Sequence, residues 1–201
     1  MGEAARRKAE IQALKNRRGT WLDSLNDEER TVVKVAGDLY DKFVNRYNFT
    51  EGCYLLSFFL REYLRREHSI HVDVVVGWVN DGTWDGASSH AWVEFCGRKV
   101  DISLHKTSHP DVQPPGDLIL LDYVEKKGLA SYSYWKELQA QHATTLTEMR
   151  KSDSEFDRVV ARKDAEHQRM CDFAAMTDGA AKYLSSAPRQ LNYDALAKML
   201  A

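Results

Sequence analysis

Cysteine is scarce in this chain: Cys53, Cys96 and Cys171 are the whole complement. An odd number with no CxxC spacing leaves no basis for a disulfide framework or a zinc ribbon. Long apolar runs are also missing, since none approaches the roughly 20 residues needed to cross a bilayer. The opening MGEAARRKAEIQALK has no apolar signal core, and Ala5-Arg6 does not fit the N-myristoylation pattern. Cytoplasmic residence is therefore the simplest expectation. An excess of one charge is lacking too: 28 Lys and Arg stand against 30 Asp and Glu, a net charge of −2. Neither nucleic acid nor a membrane is an expected partner.

What is present suits one ordinary domain with a helical extension. The chain has 201 residues, 43% of them apolar, with five Trp and nine Tyr for bulky packing. Residues 1–25 read as a charged helical segment that stops near Gly19, with only Ile11 and Leu14 as an apolar stripe. Asn26 with Glu29 has the spacing of a capping box, and Val32, Val35, Ala36, Leu39, Tyr40, Phe43 and Tyr47 follow helical period. Asn48 can end that helix in the left-handed conformation. Thr50 reads as the N-cap of a second helix, TEGCYLLSFFLREYLRRE, which puts Cys53 in its first turn.

The period then changes. HVDVVVGWV (71–79) is β-branched and too apolar on both faces for an edge strand. NDGTWDGASS (80–89) is a loop whose glycines suggest mobility and whose Trp84 could close over a substrate. AWVEF (91–95) and RKVDI (98–102) read as paired strands, LHKTSHPDVQPPGD (104–117) as a Pro-rich crossing segment, and LILLDYV (118–124) as a further strand. From Ser131 onward the pattern is helical. Trp135, Leu138, Leu146 and Met149 mark one helix, and Phe156, Val159, Val160, Met170, Cys171 and Ala174 another with a densely charged opposite face. A last short helix follows Pro188 and is led by Asn192. The expected organisation is residues 1–25, a catalytic domain over 26–130, and a C-terminal helical extension over 131–201. Whether those last helices form an appendage or pack back on the sheet is open at this level.

The hairpin allows a geometric test. With Cys96-Gly97 as a two-residue turn, Phe95 faces Arg98, Val93 faces Val100 and Trp92 faces Asp101. His90 and Asp101 are then diagonal neighbours on one face, within reach of an imidazole–carboxylate hydrogen bond. A three-residue loop would turn Asp101 to the other face, and Cys96 is an imperfect residue for the tightest turn. On the expected register Trp92 can shield the pair and Glu94 can partner Lys99 across the strands.

Cys53, His90 and Asp101 are the residue types that thiol catalysis needs. A thiol with an ordinary pKa of about 8.5 is mostly protonated at neutral pH, and a helix amino end or an imidazolium favours the thiolate. The imidazole then acts as acid to the leaving group while a carboxylate fixes its tautomer. The N–H of Cys53 supplies one oxyanion donor, with Tyr47 or Asn48 as candidates for the second. Zinc ligation by the same three residues is the rival, weakened because a structural site normally takes four ligands.

GC at a helix start, LRREHSIHVDVVVGWV, and then HAWVEF, CG and RKVD together resemble the transglutaminase-like superfamily of papain-type Cys-His-Asp proteins. The likeness is to the bacterial branch that includes lasso-peptide leader peptidases, and it covers about residues 50–105. It implies an α+β fold with the Cys helix packed on an antiparallel sheet, and a catalytic Cys53, His90 and Asp101 with no cofactor and no metal. Ile102 stands where the family usually carries proline, and no oxyanion glutamine is evident upstream. The implied activity is amide processing on a peptide or protein substrate through an acyl-thioester: a peptidase or amidase, or alternatively a glutamine deamidase or transglutaminase. A catalytically silent binding or regulatory module of the same fold is the rival from another class. The C-terminal helices are a candidate surface for a protein partner.

Overall fold

Two buried aromatic residues, Phe58 and Phe59, mark the centre of the protein, on a helix whose apolar residues point in nearly every direction. That helix, α3 (Cys53–His68), buries Leu55, Leu56, Phe58, Phe59, Leu60 and Leu64. It can do so because it lies between a sheet on one side and other helices on the other. The computed structural model describes residues 3–201. Met1 and Gly2, part of the segment 1–25, lie outside the described residues.

Helix α1 (Glu3–Asp23) runs through Gly19 rather than stopping there. Trp21, near its end, stacks on Tyr123 at 4.1 Å. Helix α2 (Asp27–Leu39) opens on the expected capping box, with Glu29 N–H donating to Asn26 Oδ1 and Asn26 N–H to Glu29 Oε2, each at 2.9 Å. It passes into a π-helical turn over Tyr40–Asn45, and Asn48 adopts the left-handed conformation (φ 47°). Thr50 does not cap α3. The chain turns through Glu51 (φ 58°), and Gly52 takes the cap position, so Cys53 is the first helical residue.

The main sheet is antiparallel in the order β3-β2-β1-β6, built from β1 (Asp73–Asn80), β2 (Ser88–Phe95), β3 (Arg98–Val100) and β6 (Ser133–Trp135). Strand β1 is central, as its apolar run requires. The segment 118–124 is two short strands, β4 (Leu118–Leu120) and β5 (Tyr123–Lys126), paired around a turn at Leu121-Asp122. Isolated pairing of Asp101 with Ile119 joins this hairpin to the main sheet. Ala91, Val93 and Phe95 of β2 belong to the core under α3, so His90, Trp92 and Glu94 occupy the alternate positions of the strand.

The segment after residue 130 departs from expectation at its start. Residues 133–135 are not helical; they form the strand β6 beside β1. The helices follow as α4 (Ala140–Ser152), α5 (Ser154–Ala175), α6 (Gly179–Ser186) and α7 (Tyr193–Leu200), with Asn192 capping α7 through Ala195 N–H. Helices α6 and α7 pack on α3, and α5 packs on α6, β1 and β2. The C-terminal part therefore completes the α+β body. Among the described residues no helix is long and apolar enough to cross a membrane.

Candidate functional site

The two-residue turn is the element that aligns the site. Cys96 and Gly97 both have positive φ (51° and 75°), as a type I′ turn requires. The register follows, pairing Phe95 with Arg98, Glu94 with Lys99 and Val93 with Val100. His90 Nε2 then lies 2.7 Å from Asp101 Oδ2. Backbone bonds to Ile119 in both directions, each 2.9 Å, pin Asp101 just beyond β3.

Asp101 is only 2% exposed and His90 4%, so a carboxylate here needs full compensation. It has four donors. Oδ2 accepts from His90 and from the Tyr134 hydroxyl at 2.8 Å; Oδ1 accepts from the Ser103 N–H at 2.9 Å and the Ser103 hydroxyl at 2.8 Å. Burial alone would raise the Asp101 pKa, but the charge of His90 and these hydrogen bonds outweigh it and hold the carboxyl below its ordinary range. Burial would likewise lower the His90 pKa. The charge of Asp101, joined by the electrostatic and hydrogen-bonding effects of Cys53, outweighs it and raises the imidazole well above its usual value. An ionised carboxylate only accepts, so Nε2 carries a proton and Nδ1 is the nitrogen that Asp101 leaves free.

Aromatic rings enclose the pair. Trp92 lies near-parallel to His90 at 6.4 Å and edge-on to Tyr134 at 5.3 Å. Gly77, paired with His90 across the strands, makes room: a Cβ there would run into the Trp92 ring and the Trp135 carbonyl. Lys99 Nζ sits 3.4 Å from the Tyr134 ring centroid. Glu94 pairs with Lys136 at 2.8 Å rather than with Lys99, although Glu94 and Lys99 face each other along the strands.

Cys53 stands at the amino end of α3, close enough to His90 to act on its titration. The first helical hydrogen bond there runs from Leu56 N–H to Gly52 O at 2.9 Å, so the helix does not consume the N–H of Cys53. The residues next to Cys53 and His90 are also joined. The Tyr54 hydroxyl and Ser89 Oγ share a hydrogen bond of 2.6 Å, and Ser89 Oγ shares another of 2.6 Å with His167 Nδ1. His167, from α5, stacks on Trp78 at 4.6 Å.

Cys53 and His90 open into a cleft of about 720 Å³, walled by α3, the loop 81–87, the segment 103–113 and helices α4 and α5. Tyr47 and Asn48 are not among its lining residues; Gln113 is the one of them that carries a carboxamide. Trp78 and Trp84 both line it. The loop is tied down rather than free. The Asn80 amide donates to the carbonyls of Trp84 (2.8 Å) and Gly86, and His142 Nδ1–H donates to the Asp85 carbonyl at 2.6 Å. Cys96 is exposed in its turn, and Cys171 is half-buried on α5 with burial raising its pKa. Neither lines the cleft.

Sequence reasoning thus named His90 and Asp101, which hydrogen-bond, and Cys53, which lines the same cleft as His90; it missed Tyr134, Ser103, Tyr54, Ser89 and His167. Tyr54 and Ser89 adjoin Cys53 and His90, which is a signal that could have been read. Tyr134 and His167 arrive from distant segments with no local pattern. Among the described residues no group of three or more His, Cys, Asp or Glu is arranged to hold a metal ion. No family model, curated protein or solved structure matches the chain.

Proposed function

We propose that this chain is a cysteine-dependent amide-processing enzyme, a peptidase or amidase on a papain/transglutaminase-like fold, with Cys53, His90 and Asp101 as its triad. The observation that carries the reading is the imidazole of His90, held through Nε2 by a fully hydrogen-bonded carboxylate and sharing one cleft with Cys53 at a helix amino end. The Cys53 thiolate attacks the amide carbonyl carbon, and the tetrahedral oxyanion takes the free N–H of Cys53. Protonated Nδ1 of His90 gives its proton to the departing nitrogen as the C–N bond breaks, leaving a thioester and a neutral imidazole. Water then gives a proton to His90 and attacks the thioester; the acid leaves, and the Cys53 sulfur departs as thiolate beside the imidazolium. An amine in place of water gives transamidation by the same first half.

The test is differential alkylation of the folded chain at pH 6, followed by peptide mass mapping. Iodoacetamide modifies Cys53 much faster than Cys96 or Cys171, and His90→Ala removes the difference. Equally slow modification of all three thiols would sink the proposal and leave the silent-module reading. Product analysis with and without an added amine then separates hydrolysis from transfer.

A further inference from the structure

The cleft beside Cys53 has an apolar side that none of the proposed chemistry uses. Trp78 of β1, Trp84 of the loop, Leu146 of α4 and Phe156 and Val160 of α5 all line it. These side chains are only partly buried, and Trp84 is 37% exposed. Apolar area held open to water gains free energy when a ligand covers it. A cleft of about 720 Å³ falls within the usual size of a site for a small ligand or a few residues of peptide. The charged residues on the α5 rim, Arg162 and Lys163 against Asp164 and Glu166, balance in sign, so the rim favours neither an anion nor a cation.

The α4–α5 side of the cleft is also registered to the reactive pair. His167 holds α5 to Ser89, the residue before His90, at 2.6 Å and stacks on Trp78. Arg150 ties α4 to α5 through Asp157 at 2.6 Å and Asp164 at 2.9 Å. A wall tied in this way keeps a fixed distance from the reacting carbonyl, which is what a specificity pocket requires.

We infer that the α4–α5 wall and the two tryptophans form a subsite for a bulky apolar side chain, so that the substrate is a peptide with an aromatic or large aliphatic residue on the acyl side of the reacting amide. The inference rests on the reading of Cys53 as nucleophile. The acyl side is the relevant one because the thioester keeps that part of the substrate in the cleft through both half-reactions.

The experiment compares acetyl-Phe, acetyl-Gly, acetyl-Asp and acetyl-Lys chloromethyl ketones on the full chain. In each, the Cys53 sulfur displaces chloride and forms a C–S bond, read by mass mapping over time. The Phe reagent labels Cys53 at least about tenfold faster than the other three, the range a filled apolar pocket supplies. Val160→Asp and, independently, the milder Phe156→Ala both reduce the ratio of Phe to Gly rates. Equal rates for all four reagents, a faster charged reagent, or a Phe-to-Gly ratio untouched by both variants would overturn the subsite while leaving Cys53 as the nucleophile. No reagent labelling Cys53 faster than Cys96 would overturn the triad itself, and the subsite with it.

Discussion

Asp101 shows what one buried charge demands of its neighbours. Four donors converge on its two oxygens, and only the His90 nitrogen belongs to the proposed chemistry. Burial, reinforced by the nearby Asp101 charge, holds the Tyr134 phenol far above its ordinary pKa, so it serves only as a donor. Tyr134→Phe should lower stability by about 1–3 kcal/mol, the cost of a missing partner for a buried acceptor, and move the Asp101 titration upward; urea unfolding and carboxyl NMR read both. The pair also sets a pH window. The folded pKa of His90 is raised, so its contribution is complete below its ordinary 6.5 and fades as pH rises through the folded value. That of Asp101 is depressed, so its contribution is complete above its ordinary 3.8 and fades as pH falls through the folded value. The stability gap between the natural chain and Asp101→Asn should therefore be widest between these two values and narrow on either side. Thr107 Oγ1 is the opposite case, a buried hydroxyl with no partner among the described residues. Thr107→Val should leave the melting temperature unchanged or raise it; a clear fall would mean that the hydroxyl is paired in solution.

Turns and helix ends decide how those residues meet. Cys96 spends its place in the turn at φ 51°, which a β-carbon disfavours, and its side chain is exposed. Cys96→Asn should stabilise the hairpin by up to about 1 kcal/mol, since Asn-Gly is the preferred type I′ pair; a loss in thermal melting would contradict the turn assignment. Gly77→Ala should cost about 1–3 kcal/mol through overpacking against the Trp135 carbonyl and the Trp92 ring and should shift Trp fluorescence as well. Much at this scale was legible. The capping box at Asn26 and Glu29 and the parity of the hairpin are local patterns, and local hydrogen bonding realises them. Thr50 misled because Glu51 takes a left-handed conformation and delays the helix to Cys53. Trp135 misled for another reason: a three-residue strand shows no period of its own and exists only because β1 offers it an edge.

At the scale of the molecule, α3 links everything. Phe58 meets Phe173 of α5 and Tyr183 of α6 at 6.3 and 4.7 Å, and Phe59 meets Tyr193 of α7 at 5.8 Å. Residues 1–130 alone would lose β6, the Tyr134 donor and this whole cover. Such a fragment should show no cooperative urea transition by near-ultraviolet circular dichroism, whereas the full chain unfolds in one step seen alike by all probes. A fragment that folds cooperatively and keeps a reactive Cys53 would instead establish 131–201 as a separable extension. The sequence by itself determined what short-range physics can carry: the longer helices and strands, the tight turn, and the meeting of His90 with Asp101 across eleven residues. Only the tertiary structure decided which side chains from beyond residue 130 complete the carboxylate's shell and wall the cleft. Those contacts depend on the packing of distant segments around α3, and no periodicity along the chain encodes which distant residue will arrive.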